Sequence, residues 1–294
     1  MTLEALNKRI KTTTDLRDIV GTMKMLSSVS IGPYERALKS LDEYGRTVQD
    51  AFAALLKNDD FCYTPRHSKE QAPKTIAVIV GTDNGLVGRF NRDILTFAKK
   101  DLSENKLLDE AKIICIGKRV GLMAESAGLP VKATYAIMNS LKEVATIANM
   151  ILSKINELIA QEKAEQVLVY HTRKKSGEPQ KPTRLQLMPL PESHLRVLRK
   201  NKWEGKTPPL VTGDKDALFT ALIHEYLSLV LSVSLTSSLA AEHYTRMVNM
   251  QQAEKNIDES LEEMNLTYQQ LRQTGITDEL IDIVSGAESI RKKK

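Results

Sequence analysis

Between Lys215 and Ser285 the chain has no proline and a single glycine, Gly275. Proline removes a helical hydrogen bond and glycine adds entropic cost, so a run this long without them reads as one helix. Roughly 70 residues at ~1.5 Å each give a rod on the order of 100 Å. A helix in a globular domain averages about 11–12 residues, so this segment cannot be the element of an ordinary compact fold. Met250, Ala253, Ile257, Leu261, Met264, Tyr268 and Leu271 recur every three or four residues, the spacing of a coiled-coil seam. Thr212 or Asp214 is placed to cap the start of the helix.

Residues 1–57 carry a second long helical pattern. Leu3, Leu6, Ile10, Thr13, Val20, Met23 and Ser27 fall on one face, and charges fill the others. Gly32-Pro33 interrupts the pattern, and a kink or short break is expected there. A helix with so narrow an apolar stripe does not stand alone in water. Each terminal helix is therefore expected to take the other as its partner. The segment between them joins both, which makes the pair antiparallel and leaves the longer C-terminal helix overhanging.

The middle of the chain has a different rhythm. Residues 58–73 read as a loop with two prolines. Thr75 to Val80 and Lys112 to Ile116 are continuous apolar runs, each ending at a glycine, as in buried parallel strands. Val131 to Ile137, Gln166 to Tyr170 and an alternating edge segment from Thr183 to Pro189 add three more. Amphipathic stretches separate them: Phe90–Leu102, a short helix ending near Ala127, and Ser140–Ile159, where Ser140 and Glu143 suggest a capping box. Strand–helix alternation of this kind specifies a small doubly wound, Rossmann-like α/β domain. The predicted architecture is thus α/β plus long helices: an N-terminal coiled-coil helix (1–57), a Rossmann-like domain (74–190), an irregular connection rich in Pro, Lys and Gly (191–213), and a C-terminal coiled-coil helix (214–294).

Composition narrows the function. The 294 residues include 42 Lys+Arg against 37 Asp+Glu, a net charge of only +5 with both signs interspersed. That is not a nucleic-acid-binding balance, and no nucleic-acid partner is expected. Cys62 and Cys115 are the only cysteines, too few for a disulfide framework. No uninterrupted apolar run of spanning length and no signal or transit peptide is evident.

Catalytic patterns are equally sparse. The five histidines form no HExxH and no i, i+4 pair, so no metal site is expected. There is no GxSxG elbow and no CxxC. Thr82-Asp83-Asn84-Gly85-Leu86-Val87-Gly88-Arg89-Phe90 follows the first strand, where α/β folds bind phosphates. It matches neither a P-loop nor GxGxxG, so Gly85 and Gly88 are read as backbone requirements of a tight turn. No cofactor and no direct small-molecule substrate is expected. Ile276, Leu280, Ile281, Ile283 and Val284 place apolar side chains nearly all round the helix end. Such an overhanging tip requires enclosure by another protein.

These residues bear a family resemblance. Arg246-Met247-Val248-Asn249-Met250 and the run from Leu266 through Arg272-Gln273, Thr277-Asp278-Glu279-Leu280 and Ile283-Val284 to Gly286-Ala287 resemble the C-terminal signature of F-type ATP synthase gamma subunits. Ile19-Val20-Gly21-Thr22-Met23-Lys24-Met25 and Thr82–Asn91 resemble two further motifs of that family in the same order. The resemblance implies the central shaft of a rotary motor, a non-catalytic subunit. It implies alpha and beta subunits of a catalytic hexamer around the coiled coil, and an epsilon subunit and a membrane c-subunit ring at the foot. It further implies a peripheral position on the cytoplasmic face of a bacterial inner membrane.

Carried over by motif, Met23 and Lys24 face the moving loops of beta, and Arg272, Gln273, Thr277 and Glu279 make polar contacts to the hexamer. Ile283 and Val284 belong to the enclosed tip, and Trp203 lies in the ring-facing foot. Departures are Gly32-Pro33, Val87 and Arg89 in place of Cys and Gly, the missing aromatics after Trp203, and the charged tail Arg291–Lys294, expected to emerge beyond the apolar sleeve. The alternative reading is a self-paired coiled-coil scaffold or adaptor with no motor role. A nucleotide-dependent enzyme using the Gly85/Gly88 turn is a third.

Overall fold

The computed structural model describes residues 2–56, 73–137, 140–173, 180–191 and 210–291, the last six of these by backbone only. Ten elements follow in order: α1 (Leu3–Leu56), β1 (Thr75–Val80), α2 (Phe90–Glu104), β2 (Lys112–Ile116), α3 (Lys118–Ser126), β3 (Val131–Tyr135), α4 (Leu141–Glu162), β4 (Gln166–Arg173), β5 (Lys181–Met188) and α5 (Lys215–Arg291). The chain divides into two compact units, residues 29–245 and residues 1–28 with 246–294.

The larger unit is built on a five-stranded sheet of order β3-β2-β1-β4-β5. β3, β2, β1 and β4 are parallel, and β5 joins β4 antiparallel at the edge. Burial on both faces explains the unbroken apolar runs of β1 and β2. One face, with Ala77, Ile79, Ile113, Cys115, Leu168 and Tyr170, packs on Ile94, Ala98 and Leu102 of α2 and on Val120 and Ala124 of α3. The other presents Ile76, Val78, Ile114, Val167 and Val169 to α4 and to a segment of α5, whose Leu227, Leu231, Leu235 and Leu239 are buried there. Each such leucine contributes about 1.5–3 kcal/mol on leaving water.

By length and composition α5 contains one window apolar enough to cross a membrane, which the sequence reading did not identify. In the fold Leu227, Leu231, Leu235 and Leu239 of this helix are buried against the sheet and α4. A separate cluster joins α1 to α5 through Val48, Phe52, Leu56 and Leu229. Phe52 meets Phe219 and Tyr226 edge-on at 6.0 Å centroid separations, a preferred aromatic geometry.

In the smaller unit the two helices pair antiparallel along the expected seam. Leu6 and Ser27 are buried, and Ile10, Thr13, Val20 and Met23 are half-buried. Opposite them, Met250 and Leu261 are buried and Ala253, Ile257, Met264 and Tyr268 half-buried, whereas every side chain from Gln269 to Ser285 is exposed. The long C-terminal helix therefore does run past its partner.

Two local expectations are corrected. Of the kink or short break expected at Gly32-Pro33, the break does not occur: α1 runs through it as one helix. Pro33 cannot donate to the Val29 carbonyl, but that turn is solvent-exposed, so water can take the carbonyl. The next residue, Tyr34, is buried and stacked on His243 at 5.3 Å. That packing holds the following turn against a proline cost of about 3 kcal/mol. At α4, Ser140 stands at the N-cap with an extended backbone, yet its side chain makes no capping bond. The Glu143 N–H donates instead to the Ser140 carbonyl at 3.1 Å. Asp214, by contrast, does cap α5: its Oδ1 accepts from the Asp216 N–H at 3.0 Å.

Candidate functional site

In the smaller unit, ion pairs cross the seam. The Lys24 ammonium donates to Glu254 Oε2, and Arg17 Nη1 lies 3.8 Å from Asp258 Oδ1. Gly21 sits between them, where a Cβ would stand 3.5 Å from Glu254 Oε1. Lys24 was expected to face a partner. Within the chain its ammonium pairs with Glu254, and 35% of its side chain remains exposed. Met23, the other residue expected there, is half-buried on the seam side.

The open face of α1 carries a stripe that the sequence reading missed. Leu16, Ile19, Leu26 and Val29 are 50–71% exposed and recur at i, i+3, i+10 and i+13. That is the same helical spacing that defines the seam, on a second face. A search for one apolar stripe stops at the first.

On α5, Arg272, Gln273, Thr277 and Glu279 are all exposed, within two turns of one another. Thr277 Oγ1 donates to the Gln273 carbonyl at 2.9 Å, an intrahelical bond that fixes its rotamer. Arg272 and Glu279 share a face with Ile276 and Ile283, while Gln273 and Thr277 share one with Leu280 and Val284. Ile276, Leu280, Ile281, Ile283 and Val284 are 49–68% exposed. Polar and apolar groups thus alternate over one continuous, uncovered surface, too apolar to be spent on water. Trp203 and the tail from Lys292 lie outside the described residues.

In the larger unit the Gly-rich turn is explained differently from expectation. Gly88 takes positive φ (57°), but its companion in the left-handed region is Leu86 (64°), not Gly85. A Cβ at Gly85 would stand 2.9 Å from Arg119 Nη1, the free end of an exposed side chain that can swing aside. The buried Asn91 fixes the start of the loop. Its Oδ1 accepts from the Thr82 N–H and its Nδ2 donates to Thr82 Oγ1, both at 2.9 Å. Gly117, φ 113°, passes so close to Thr82 that a Cβ would sit 2.7 Å from that backbone nitrogen.

Asp83 then turns toward the N-terminus of α3. Its Oδ1 accepts from the Lys118 N–H at 2.5 Å and its Oδ2 from the Ile137 N–H at 3.0 Å. A helix N-terminus can hold an anion, and at α3, the helix that follows β2, a carboxylate of the chain takes that place. Among the described residues no group of three or more His, Cys, Asp and Glu could hold a metal.

The sheet is also bonded to the long helix by polar groups. The Thr172 N–H, at the end of β4, donates to Ser238 Oγ at 3.0 Å. Ser237 Oγ donates to the Thr172 carbonyl at 3.3 Å. Gln180 Nε2 donates to the Ala241 carbonyl at 2.8 Å and Gln180 Oε1 accepts from Thr245 Oγ1. Ser228 Oγ and Asn149 Oδ1 link α5 to α4 at 3.0 Å, and Tyr44 OH donates to Glu225 Oε1 at 2.8 Å. Residues that looked like unremarkable helix serines in sequence are the cross-links of this unit.

Two long antiparallel helices bracketing a Rossmann-like sheet define a class, the stalk chains of rotary synthases. Solved structures share the fold. A chain of the Euglena gracilis mitochondrial ATP synthase rotor superposes with TM-score 0.63 at 18% identity, covering 94% of this chain and 99% of that one. A chain from the Tetrahymena thermophila ATP synthase central stalk and c-ring gives 0.57 at 20% identity, covering 80% and 99%. A family profile described as ATP synthase matches residues 2–290. Relatives named ATP synthase gamma chain include those of Geobacter metallireducens, 27% identical over 98% of this chain and 99% of that one, and Staphylococcus saprophyticus, 25% identical over the same shares. The chain belongs to the ATP synthase gamma-chain family, whose members are non-catalytic subunits of the complex.

Proposed function

We propose that this chain is the central rotor shaft of an F-type ATP synthase, coupling ion-driven ring rotation to ATP synthesis or hydrolysis in a hexamer of alpha and beta subunits. The observation that carries the reading is the uncovered end of α5, where five large apolar side chains stand 49–68% exposed. A family whose relatives are gamma chains, and whose fold neighbours come from a rotor and from an assembly titled OSCP/F1/c-ring, supplies the enclosing partner. The complex is peripheral to a membrane, with the cytoplasmic face of a bacterial inner membrane as the finer assignment.

In this reading Arg272, Gln273, Thr277, Glu279, Ile283 and Val284 meet the hexamer, with the α1 surface around Met23 and Lys24. Trp203 belongs to the ring-facing foot beside the epsilon subunit. Residues 1–57 and 214–294 form the shaft, 74–190 the foot and 191–213 a connection. The mechanism needs only differential contact. A shaft that touches one beta subunit more than its neighbours shifts that subunit's conformational equilibrium by the difference in interaction free energy. Moving a two-state equilibrium from 1:99 to 99:1 takes about 5.5 kcal/mol. Burying the exposed half of four or five of these Ile, Leu and Val side chains, at about 0.8–1.5 kcal/mol each, supplies that amount.

The test is co-expression with alpha and beta subunits, followed by purification and an ATPase assay with and without residues 272–294. A stable complex whose ATPase depends on this chain and weakens on truncation supports the shaft. A folded homodimer that never associates with the hexamer refutes it and favours the scaffold.

A further inference from the structure

In the overhang of α5 we infer a built-in joint at Gly275: the helix has two local forms there, a straight rod and a capped break, and the tip beyond swings on that break until it is enclosed. Neither usual reason for a glycine applies at this position. Its backbone is helical, and a Cβ there would meet nothing within 4 Å. Among the described residues the other helical glycines, Gly21, Gly32, Gly45 and Gly121, each have a neighbour at 3.6 Å or less. Relative to alanine, glycine disfavours the straight form about fivefold. Every side chain from Gln269 to Ser285 is exposed, so no packing within the chain offsets that.

The surrounding residues encode the break. A helix that stops with Gly275 as the left-handed residue past its end has Leu271 and Ile276 at the two positions whose contact completes such a cap. Arg272 then lies in the last turn, where a cation is favoured. A helix that starts again at Thr277 has that hydroxyl as its N-cap and Asp278 and Glu279 in its first turn. Ile276 and Ile281 fall at the two positions that close over an N-cap. Stop and start signals thus meet within residues 271–281. In the straight form Thr277 and Thr274 donate to the Gln273 and Gln270 carbonyls at 2.9 and 3.0 Å, bonds that slightly weaken and bend a helix. In the broken form the same Thr277 oxygen accepts from the Leu280 N–H. Residues 276–291 are barely longer than the about 12–15 residues at which an isolated helix is marginal, so the tip gains little by continuing the rod. The proposal rests on the shaft reading only for the partner that holds the straight form; the joint belongs to the free chain.

The experiment places spin labels at Asn265→Cys and Asp282→Cys of the full-length chain, with Cys62→Ala and with Cys115 buried and unlabelled. Double electron–electron resonance reads their separation, which is about 26 Å along a straight rod at ~1.5 Å per residue. The parent chain should give that distance and a second, shorter one. The ratio of short to long should fall about fivefold in Gly275→Ala. It should fall about tenfold in Thr277→Ala, which removes the cap of the break, and about threefold or less in Thr274→Ala, which makes the same bond and caps nothing. All these positions are exposed, and circular dichroism of each purified variant verifies the fold. A single distance near that of the rod overturns the joint, as does a short population that Gly275→Ala leaves unchanged. A short population that Thr274→Ala lowers as far as Thr277→Ala overturns it too, since that marks plain fraying. Failure to assemble with a hexamer refutes the shaft and leaves this readout untouched, so the two inferences fail separately.

Discussion

Substituting Ser238→Ala should loosen β4 from α5 by an amount set by one buried amide. Thr172 is 4% exposed and Ser238 1%, and the Thr172 N–H has Ser238 Oγ as its acceptor at 3.0 Å. Alanine removes the acceptor and leaves no room for water to enter, so the N–H meets its full desolvation penalty of about 1–3 kcal/mol. Ser237→Ala should cost less, about 0.5–1.5 kcal/mol, because it removes a donor at 3.3 Å from a carbonyl. Thr236→Val is the control. Its hydroxyl donates only to the Ser232 carbonyl within the same helix, at 2.7 Å, and valine keeps the shape, so the change should stay within about 0.5 kcal/mol. Hydrogen exchange of the full-length chain, read on the peptide covering β4, converts these figures to rates. Ser238→Ala should speed exchange of that strand about 5- to 150-fold, with the tip of α5 unaffected. Exchange within twofold of wild type, or an effect from Thr236→Val as large as that from Ser238→Ala, would refute the reasoning that the cross-element bond holds the strand.

Three further outcomes are expected. A double-mutant cycle on Lys24→Gln and Glu254→Gln should give a coupling of about 0.2–1 kcal/mol that shrinks with added salt, since both side chains are partly exposed; zero coupling at low salt would deny the pair any role. Burial, helped by the Arg173 charge, holds the His171 imidazole down at about 4, so it folds neutral. Its contribution is complete above the ordinary histidine value near 6.5 and is lost as pH falls toward 4, on the order of 3 kcal/mol in all; urea melts of His171→Gln should lack that part of the acid decline. Burial pushes the Cys115 thiol up to about 12, leaving almost no thiolate at pH 8. Native wild type and Cys115→Ala should therefore label equally with a thiol reagent, and differ by one thiol per chain in urea.

Periodicity made most of this fold legible. The 3.5-residue seams of α1 and α5 and the apolar runs of β1, β2 and β4 depend on near neighbours in sequence, so their signal is local. What was not legible depends on distant pairs. Asp83 reaches the N-terminus of α3 across 35 residues, and the partner of Lys24 lies 230 residues away. Gly85 looked like the residue of positive φ in its turn, but the left-handed position belongs to Leu86, a residue type that does not mark it. Pro33 looked like a breaker because propensity knows nothing of Tyr34 stacked on His243. The second stripe on α1, Leu16 to Val29, was present in the sequence and required only a search for two faces. The uncovered apolar end of α5 was legible because exposure of Ile and Val to water is costly on any fold.

The carboxylate of Asp83 at the head of α3 has a consequence for a machine that works among nucleotides. A Rossmann-like sheet with a vacant anion seat would collect ADP, ATP or phosphate as their concentrations rose and fell, and each occupancy would change the mass action on the part that bears the load. By carrying its own negative charge at the start of α3, hydrogen-bonded to two backbone amides, the domain closes that helix end to such anions. Changes in the supply of fuel then have no purchase on the shaft through that helix end.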